Sequence, residues 1–277
     1  MNAPAVCSWS LRPQSPSDLV DKVLACGARA VQLHLDPVRS FEWRADETAG
    51  RLRVAGIRIV SGMMSMKGED YSTLDTIKTT GGVRPEATWP DNHRAAEGNA
   101  ILAQRFGLNL VTFHAGFLPH DRADAERQAM VARLREMAGI FGHRNVRVAF
   151  ETGQESAPTL LDVLAEINET LPPHHRVGVN FDPANMILYG MGDPVEALRL
   201  LMPYVMQVHL KDATPAATPG QWGAEVPVGT GAVDWKAFFR VLNDAAWKGN
   251  LCIEREAGEQ RIEDIRSGLA FVAPFIR

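Results

Sequence analysis

Residues 146–182 read VRVAFETGQESAPTLLDVLAEINETLPPHHRVGVNFD, and this stretch decides the fold. It opens with an apolar run, 146–151, that ends on Glu151. A helix-like stretch over 158–170 follows, and a second apolar run, 177–182, ends on Asp182. Short apolar runs between turn residues read as strands buried on both faces, as in a parallel sheet. Two further runs lie downstream: VMQVHL at 205–210 carries His209, and NLCIE at 250–254 ends on Glu254. A bare carboxylate is costly to bury, so each of these chain positions asks for a partner. Three carboxylates and one imidazole arriving from successive strands repel one another unless a positive charge sits among them. One divalent metal ion is the simplest such charge. Glu151, Asp182, His209 and Glu254 form an oxygen-rich set with one nitrogen. Such a set suits Mn²⁺ or Mg²⁺, tolerates Co²⁺ or Zn²⁺, and leaves positions open for a substrate. Glu256, two residues beyond Glu254 on the same face of the strand, is the rival for the last ligand.

Outward from this stretch the same alternation continues. Strands are expected over 5–10, 30–35, 57–63, 108–116, 146–151, 177–182, 205–211 and 250–255. Helices are expected over 16–26 (with Ser17 as cap), 44–55, 92–106, 121–141, 158–170, 193–201, 233–245 and 261–275. Eight strand–helix repeats point to a (β/α)₈ TIM barrel rather than an open sheet. The ligand set agrees independently, because four ligands from consecutive strands meet only if the strands curve around one axis. Active sites of such barrels lie at the C-terminal strand ends, where these residues fall. The chain of 277 residues suits one such barrel. No Gly/Ser run, Pro-rich spacer or charge block divides it, so 1–277 reads as a single domain.

The formal charge of -4 gives no electrostatic footprint for nucleic acid. No stretch is long and apolar enough to span a membrane, and residues 1–11 do not look like a signal peptide. Three cysteines without paired spacing, Cys7, Cys26 and Cys252, fit reduced thiols and a cytoplasmic setting. No glycine-rich dinucleotide fingerprint follows a strand.

The strings FET, NFDPAN, VHLKD and CIERE, with GTGAVDW between the last two, resemble the xylose-isomerase-like TIM-barrel superfamily of sugar phosphate isomerases and epimerases. The resemblance runs over nearly the whole chain. It implies one divalent ion held by Glu151, Asp182, His209 and Glu254, with Glu151 and Glu254 also acting as the acid/base pair. It implies a small-molecule sugar substrate and allows a homo-oligomer. One position departs from the ketose 3-epimerases of this group, which carry a His three residues after the Asp ligand. Asn185 stands there, and it donates a hydrogen bond but carries no charge. The three-metal endonucleases of the group use additional histidines, and the acidic charge of this chain fits DNA poorly.

Around the ligands, His114 and His34 sit near other strand ends and are candidate substrate contacts; either also reads as a barrel-mouth His bonded to backbone. Lys211 points the same way as His209 and either meets a substrate oxygen or pairs with Glu254 or Glu256. Asn185 and Glu256 complete the candidate substrate set. Trp9 and Trp222 are sugar-stacking candidates. Arg255 reads as structural, and Glu155 as a cap of the next helix. Residues 64–91 are far longer than an ordinary βα loop and are expected to form a lid with Gly81–Gly82 as hinge. Tyr71, Ser72, Thr73 and Asp75 are its expected ligand-facing groups. The expected chemistry is isomerisation or epimerisation by proton transfer through a metal-stabilised enediolate. A metal-dependent dehydratase, lyase or hydrolase on the same barrel is the alternative.

Overall fold

The computed structural model describes residues 3–218 and 220–276. Its strands are β1 (Ala5–Cys7), β2 (Ala30–His34), β3 (Arg58–Met63), β4 (Leu110–Phe113), β5 (Arg147–Glu151), β6 (Gly178–Phe181), β7 (Val205–Leu210), β8 (Asp212–Thr214), β9 (Ala224–Val226) and β10 (Asn250–Ile253). The helices are α1 (Pro16–Ala25), α2 (Asp36–Arg39), α3 (Ala45–Val54), α4 (Leu74–Thr80), α5 (Trp89–Arg105), α6 (Ala125–Gly142), α7 (Ala157–Thr170), α8 (Pro183–Leu188), α9 (Pro194–Leu201), α10 (Trp235–Asp244) and α11 (Arg261–Val272). All strands except β8 and β9 are parallel and close into a (β/α)₈ barrel. β1 and β10 make the closure, with Ala5 opposite Cys252 and Val6 opposite Ile253.

Local chemistry sets the helix starts. Side chains of Ser15, Asp124, Ser156, Asp182, Asp193 and Asp234 each accept a backbone N–H in the first turn that follows them. In α10, Trp235, Phe238, Phe239 and Leu242 recur at helical spacing and are buried. They join a shell in which outward strand residues such as Val148, Phe150, Phe181 and Leu210 pack with the helices.

The inside of the barrel is different. Ala5, Cys7, Ala30 and Cys252 form a separate small apolar cluster. With them Gln32, Ser61, Thr112, Asn180 and Gln207 are fully buried. Ser61 Oγ donates to Gln207 Oε1 at 2.7 Å, and Gln207 Nε2 donates to Asn180 Oδ1 at 3.2 Å. Gln32 Nε2 donates to Thr112 Oγ1 at 2.8 Å. Every link in this network is a buried polar group finding another.

Several expectations are corrected. The first strand stops at Cys7, and Ser8–Leu11 form a 3₁₀ turn. Two long-range bonds cause this: Ser8 Oγ accepts from His34 N, and Ser10 Oγ accepts from Arg255 N, so the chain curls over the strand ends. Ser15, not Ser17, caps α1. Ser156, not Glu155, caps α7. The segment 64–91 is not one loop: it holds α4, started by a capping box between Thr73 and Thr76, and α5 begins at Trp89. Gly81–Gly82 is not free to hinge. A Cβ on Gly82 would lie 2.1 Å from Ala115 O, and Val83 N donates to Ala115 O at 3.1 Å, so the glycine permits backbone-to-backbone contact.

The hairpin β8–β9 after β7 is also unexpected. Asp212 organises the chain around it: its carboxylate accepts from the N–H groups of Gly229, Gly231 and Val233 and from Trp235 Nε1. A Cβ on Gly231 would sit 2.1 Å from Asp212 Oδ1, which accounts for the glycine in GTGAVDW. The three cysteines are free and buried. Among the described residues, no helix is long and apolar enough to cross a membrane.

Candidate metal centre and its cavity

Glu151 ends β5, Asp182 follows β6, His209 lies in β7 and Glu254 follows β10. The barrel brings one potential ligand atom of each within 4.8 Å of the others, and all four residues are buried. His209 Nδ1 lies 3.4 Å from Glu151 Oε1, 3.4 Å from Glu254 Oε2 and 4.0 Å from Asp182 Oδ2. Its other ring nitrogen, Nε2, donates to Gln32 Oε1 at 2.8 Å. That bond leaves Nδ1 as the atom facing the carboxylates, the arrangement by which outer groups orient a ligating imidazole.

The glutamates are held just as firmly. Asn180 Nδ2 donates to Glu151 Oε2 at 3.2 Å, and Asn185 Nδ2 to Glu151 Oε1 at 3.0 Å. Trp9 Nε1 donates to Glu254 Oε1 at 2.6 Å. Among the described residues, Asp182 Oδ2 and Glu254 Oε2 are buried without a hydrogen-bond partner of normal geometry. Lys211 Nζ reaches both as a charge, at 3.8 and 3.0 Å.

The electrostatics are unbalanced. Burial drives Asp182 well above the usual carboxylate range, and Glu254 and Glu151 add to the rise against the pull of Lys211. Burial also opposes ionisation of Glu254, but Lys211 and His209 hold it well below its ordinary value. Lys211, His209 and the more distant His114 leave two of the oxygens of three buried carboxylates without a hydrogen-bond donor. Two orphaned oxygens and a nitrogen aimed at them fit a hard divalent cation, so the donor set passes the chemical test for a metal site.

A cavity of about 430 Å³ opens beside this cluster. Glu151, Glu254, Lys211, Asn185, His114 and Glu256 reach it, as do Trp9, Tyr189 and Trp222. Tyr189 and Trp222 pack edge-on, with ring centroids 4.9 Å apart. His114 Nε2 is 3.9 Å from Glu151 Oε1. Glu256 lies outside the ligand cluster, half-exposed, with Oε2 on Lys211 Nζ at 2.8 Å. Arg255 turns away to Glu225 and Asp264. His34 lines a neighbouring pocket instead, with Nε2 3.1 Å from both Asp36 Oδ2 and Ser65 Oγ.

From the segment 64–91, Met64, Ser65, Glu69 and Tyr71 face the cavity, while Ser72 and Thr73 are spent on the start of α4. Sequence reasoning missed Glu69, Tyr189 and the orienting roles of Gln32, Asn180 and Trp9. A signal was present for two of them. Gln32 and Asn180 precede His34 and Asp182 by two residues, and Gln207 precedes His209 likewise, so each shares its neighbour's inward face.

Comparison with known proteins places the chain in a family. The profile of the xylose isomerase-like TIM barrel family matches residues 20–275. The chain belongs to that family. A solved structure of a xylose isomerase domain protein from Planctomyces limnophilus is 30% identical, covers 92% of this chain and 91% of that one, and superposes with a TM-score of 0.85. A 3-dehydroshikimate dehydratase from Bacillus anthracis is 26% identical over 162 residues, 52% of this chain and 56% of that protein. A putative L-ribulose-5-phosphate 3-epimerase from Escherichia coli (strain K12) is 35% identical over 75 residues, 26% of each chain. This chain therefore spans about half of the dehydratase and a quarter of the epimerase.

Proposed function

We propose that this chain is a divalent-metal-dependent isomerase or epimerase of a small sugar or sugar derivative. One observation supports the reading most: Glu151, Asp182, His209 and Glu254 converge within 4.8 Å beside an aromatic-walled cavity, with two carboxylate oxygens that meet only the Lys211 charge and no hydrogen-bond donor of normal geometry. A bound divalent ion would supply Lewis-acid charge where a carbonyl oxygen turns negative.

The chain's own residues supply the rest. Glu151 and Glu254 come from β5 and from the end of β10, with β6 and β7 between them, so they meet a bound carbon from different sides. Each has oxygens fixed by N–H donors, which orients a carboxylate for taking or returning a proton. Asp182 and His209, together with Glu151 and Glu254, would hold the ion. His114, Lys211, Asn185 and Glu256 contact substrate hydroxyl and carbonyl oxygens, and Trp222 and Tyr189 take a sugar face. His34 lies in the adjoining pocket, held by Asp36 and Ser65, and has no part in this substrate set. Trp9 is a positioning residue for Glu254.

A dehydratase is the second reading. The longer of the two curated matches is to a dehydratase, and Asn185 stands where ketose 3-epimerases carry a His. Both reactions begin by removing a proton next to a carbonyl, and they part at the fate of the neighbouring hydroxyl. A panel of keto-sugars and cyclic keto-polyols in D₂O, with Mn²⁺ or with chelator, separates them by NMR. Mn²⁺-dependent deuterium incorporation without loss of water supports the isomerase or epimerase; loss of water supports the dehydratase. Neither exchange nor loss of water with any member of the panel in the Mn²⁺-loaded protein would sink both.

A further inference from the structure

We propose that Lys211 competes with the metal ion for its ligands and that Glu256 draws the ammonium aside; this rests on the metal reading above. Lys211 is buried, two residues beyond His209 and on the same inward face. Its Nζ touches three carboxylates: Glu254 Oε2 at 3.0 Å, Asp182 Oδ2 at 3.8 Å and Glu256 Oε2 at 2.8 Å. The first two oxygens are the pair without hydrogen-bond partners. The third belongs to a half-exposed side chain on the cavity wall.

An ammonium and a dication drawn to the same two oxygens repel each other in a protein interior. Binding of the ion therefore moves the ammonium off Glu254 and Asp182, while its 2.8 Å bond to Glu256 keeps it on the cavity wall. That movement has two consequences. The ligand carboxylates are never left bare, because Lys211 offsets them whenever the ion leaves. The ion, once in place, presents the ammonium to the cavity, so the metal binds before a substrate oxygen that Lys211 will hold. A lysine that served only as a fixed structural ion pair would produce the first effect but not the second.

Titration calorimetry with Mn²⁺ on the full chain tests this, together with thermal denaturation in chelator and in Mn²⁺. Lys211→Met should tighten Mn²⁺ binding by about tenfold or more, because one unit of repulsion is gone. The same variant should melt several degrees lower in chelator and recover in Mn²⁺, since Glu254 then lacks its counter-charge. Glu256→Gln should weaken Mn²⁺ binding several-fold by leaving the ammonium on the ligands. In the Lys211→Met background, Glu256→Gln should have little effect.

Unchanged or weaker Mn²⁺ binding by Lys211→Met overturns the inference while leaving the metal reading intact. So does a Glu256→Gln effect that persists undiminished in the double variant. If Lys211→Met does not fold, Glu256→Gln decides alone, because its half-exposed site tolerates the change; unchanged or tighter binding there overturns the inference. Failure of the unmodified protein to bind Mn²⁺ at all overturns the metal reading, and this inference with it.

Discussion

The two faces of one barrel wall have opposite chemistry. Outward residues of β5, Val148 and Phe150, sit in an apolar shell against the helices, and Phe150 packs on Phe113 with ring centroids 5.4 Å apart. The inward partner on the same strand, Glu151, ends a chain of hydrogen bonds that runs through Asn180 and Gln207 to Ser61. The shell gains stability from area and close packing. The interior gains little that way beyond the small cluster of Ala5, Cys7, Ala30 and Cys252, because its polar groups merely replace their bonds to water. What the interior supplies is a fixed orientation for four ligands. The difference teaches that stability and site geometry are separable here, although each strand contributes to both.

The largest effect should come from the shell. Phe150→Ala removes a fully buried ring and should cost about 3–5 kcal/mol, measured by denaturant unfolding. A cost below about 1 kcal/mol would contradict the close packing assigned to the shell. In the interior the pattern reverses. His209→Ala and Asp182→Asn should keep the fold yet lose Mn²⁺ binding in calorimetry, and with it all activity. Glu151→Gln keeps an oxygen that can coordinate, so it should retain measurable Mn²⁺ affinity while losing turnover, because an amide is not a base. Full activity in purified Glu151→Gln would remove Glu151 from the acid/base role.

A smaller interior effect isolates orientation from ligation. Gln32 does not belong to the four-residue ligand cluster; its Oε1 receives His209 Nε2–H. Gln32→Leu should lower Mn²⁺ affinity by about 10–100-fold, as loss of an outer partner does. An unchanged dissociation constant would show that packing alone orients the imidazole.

The same two faces explain what was legible in the sequence. Outward positions must be apolar, so runs such as VRVAF and VGVNF announced their strands and hence the barrel. Glu151, Asp182, His209 and Glu254 stood out because a charged or imidazole group at the end of such a run is costly without a partner. Gln32, Asn180 and Gln207 were less visible, since a neutral amide inside an apolar run breaks the pattern only slightly. Trp9 was read as a stacking ring, and its bond to Glu254 depends on a turn that Ser8 and Ser10 make with distant strands. The hairpin β8–β9 depends on Asp212 gathering N–H groups from as far as Trp235, a long-range cause with no local periodicity. Helix α4 did leave a local trace, the Thr73–Thr76 capping box, hidden among residues that also suit loops.

The finest test uses two glutamates four residues apart. Glu151 and Glu155 are almost equally buried, 6% and 7% exposed. Burial raises both, but His209 and His114 outweigh it at Glu151 and bring that carboxyl below its ordinary value. Nothing comparable acts on Glu155, and burial alone pushes it up to about 8. A raised carboxyl keeps its proton in the folded chain after the unfolded chain has lost it. Stability should therefore fall as pH rises from about 4.5, the ordinary value, and level off above about 8. Glu155→Gln imitates the protonated carboxyl and removes that dependence. Its melting temperature should match the parent's below the lower limit of this window and exceed it by a few degrees above the upper one. Equal melting temperatures at both ends would mean that Glu155 finds a cationic or hydrogen-bonding partner in solution, and that this loop behaves like the polar interior rather than the shell.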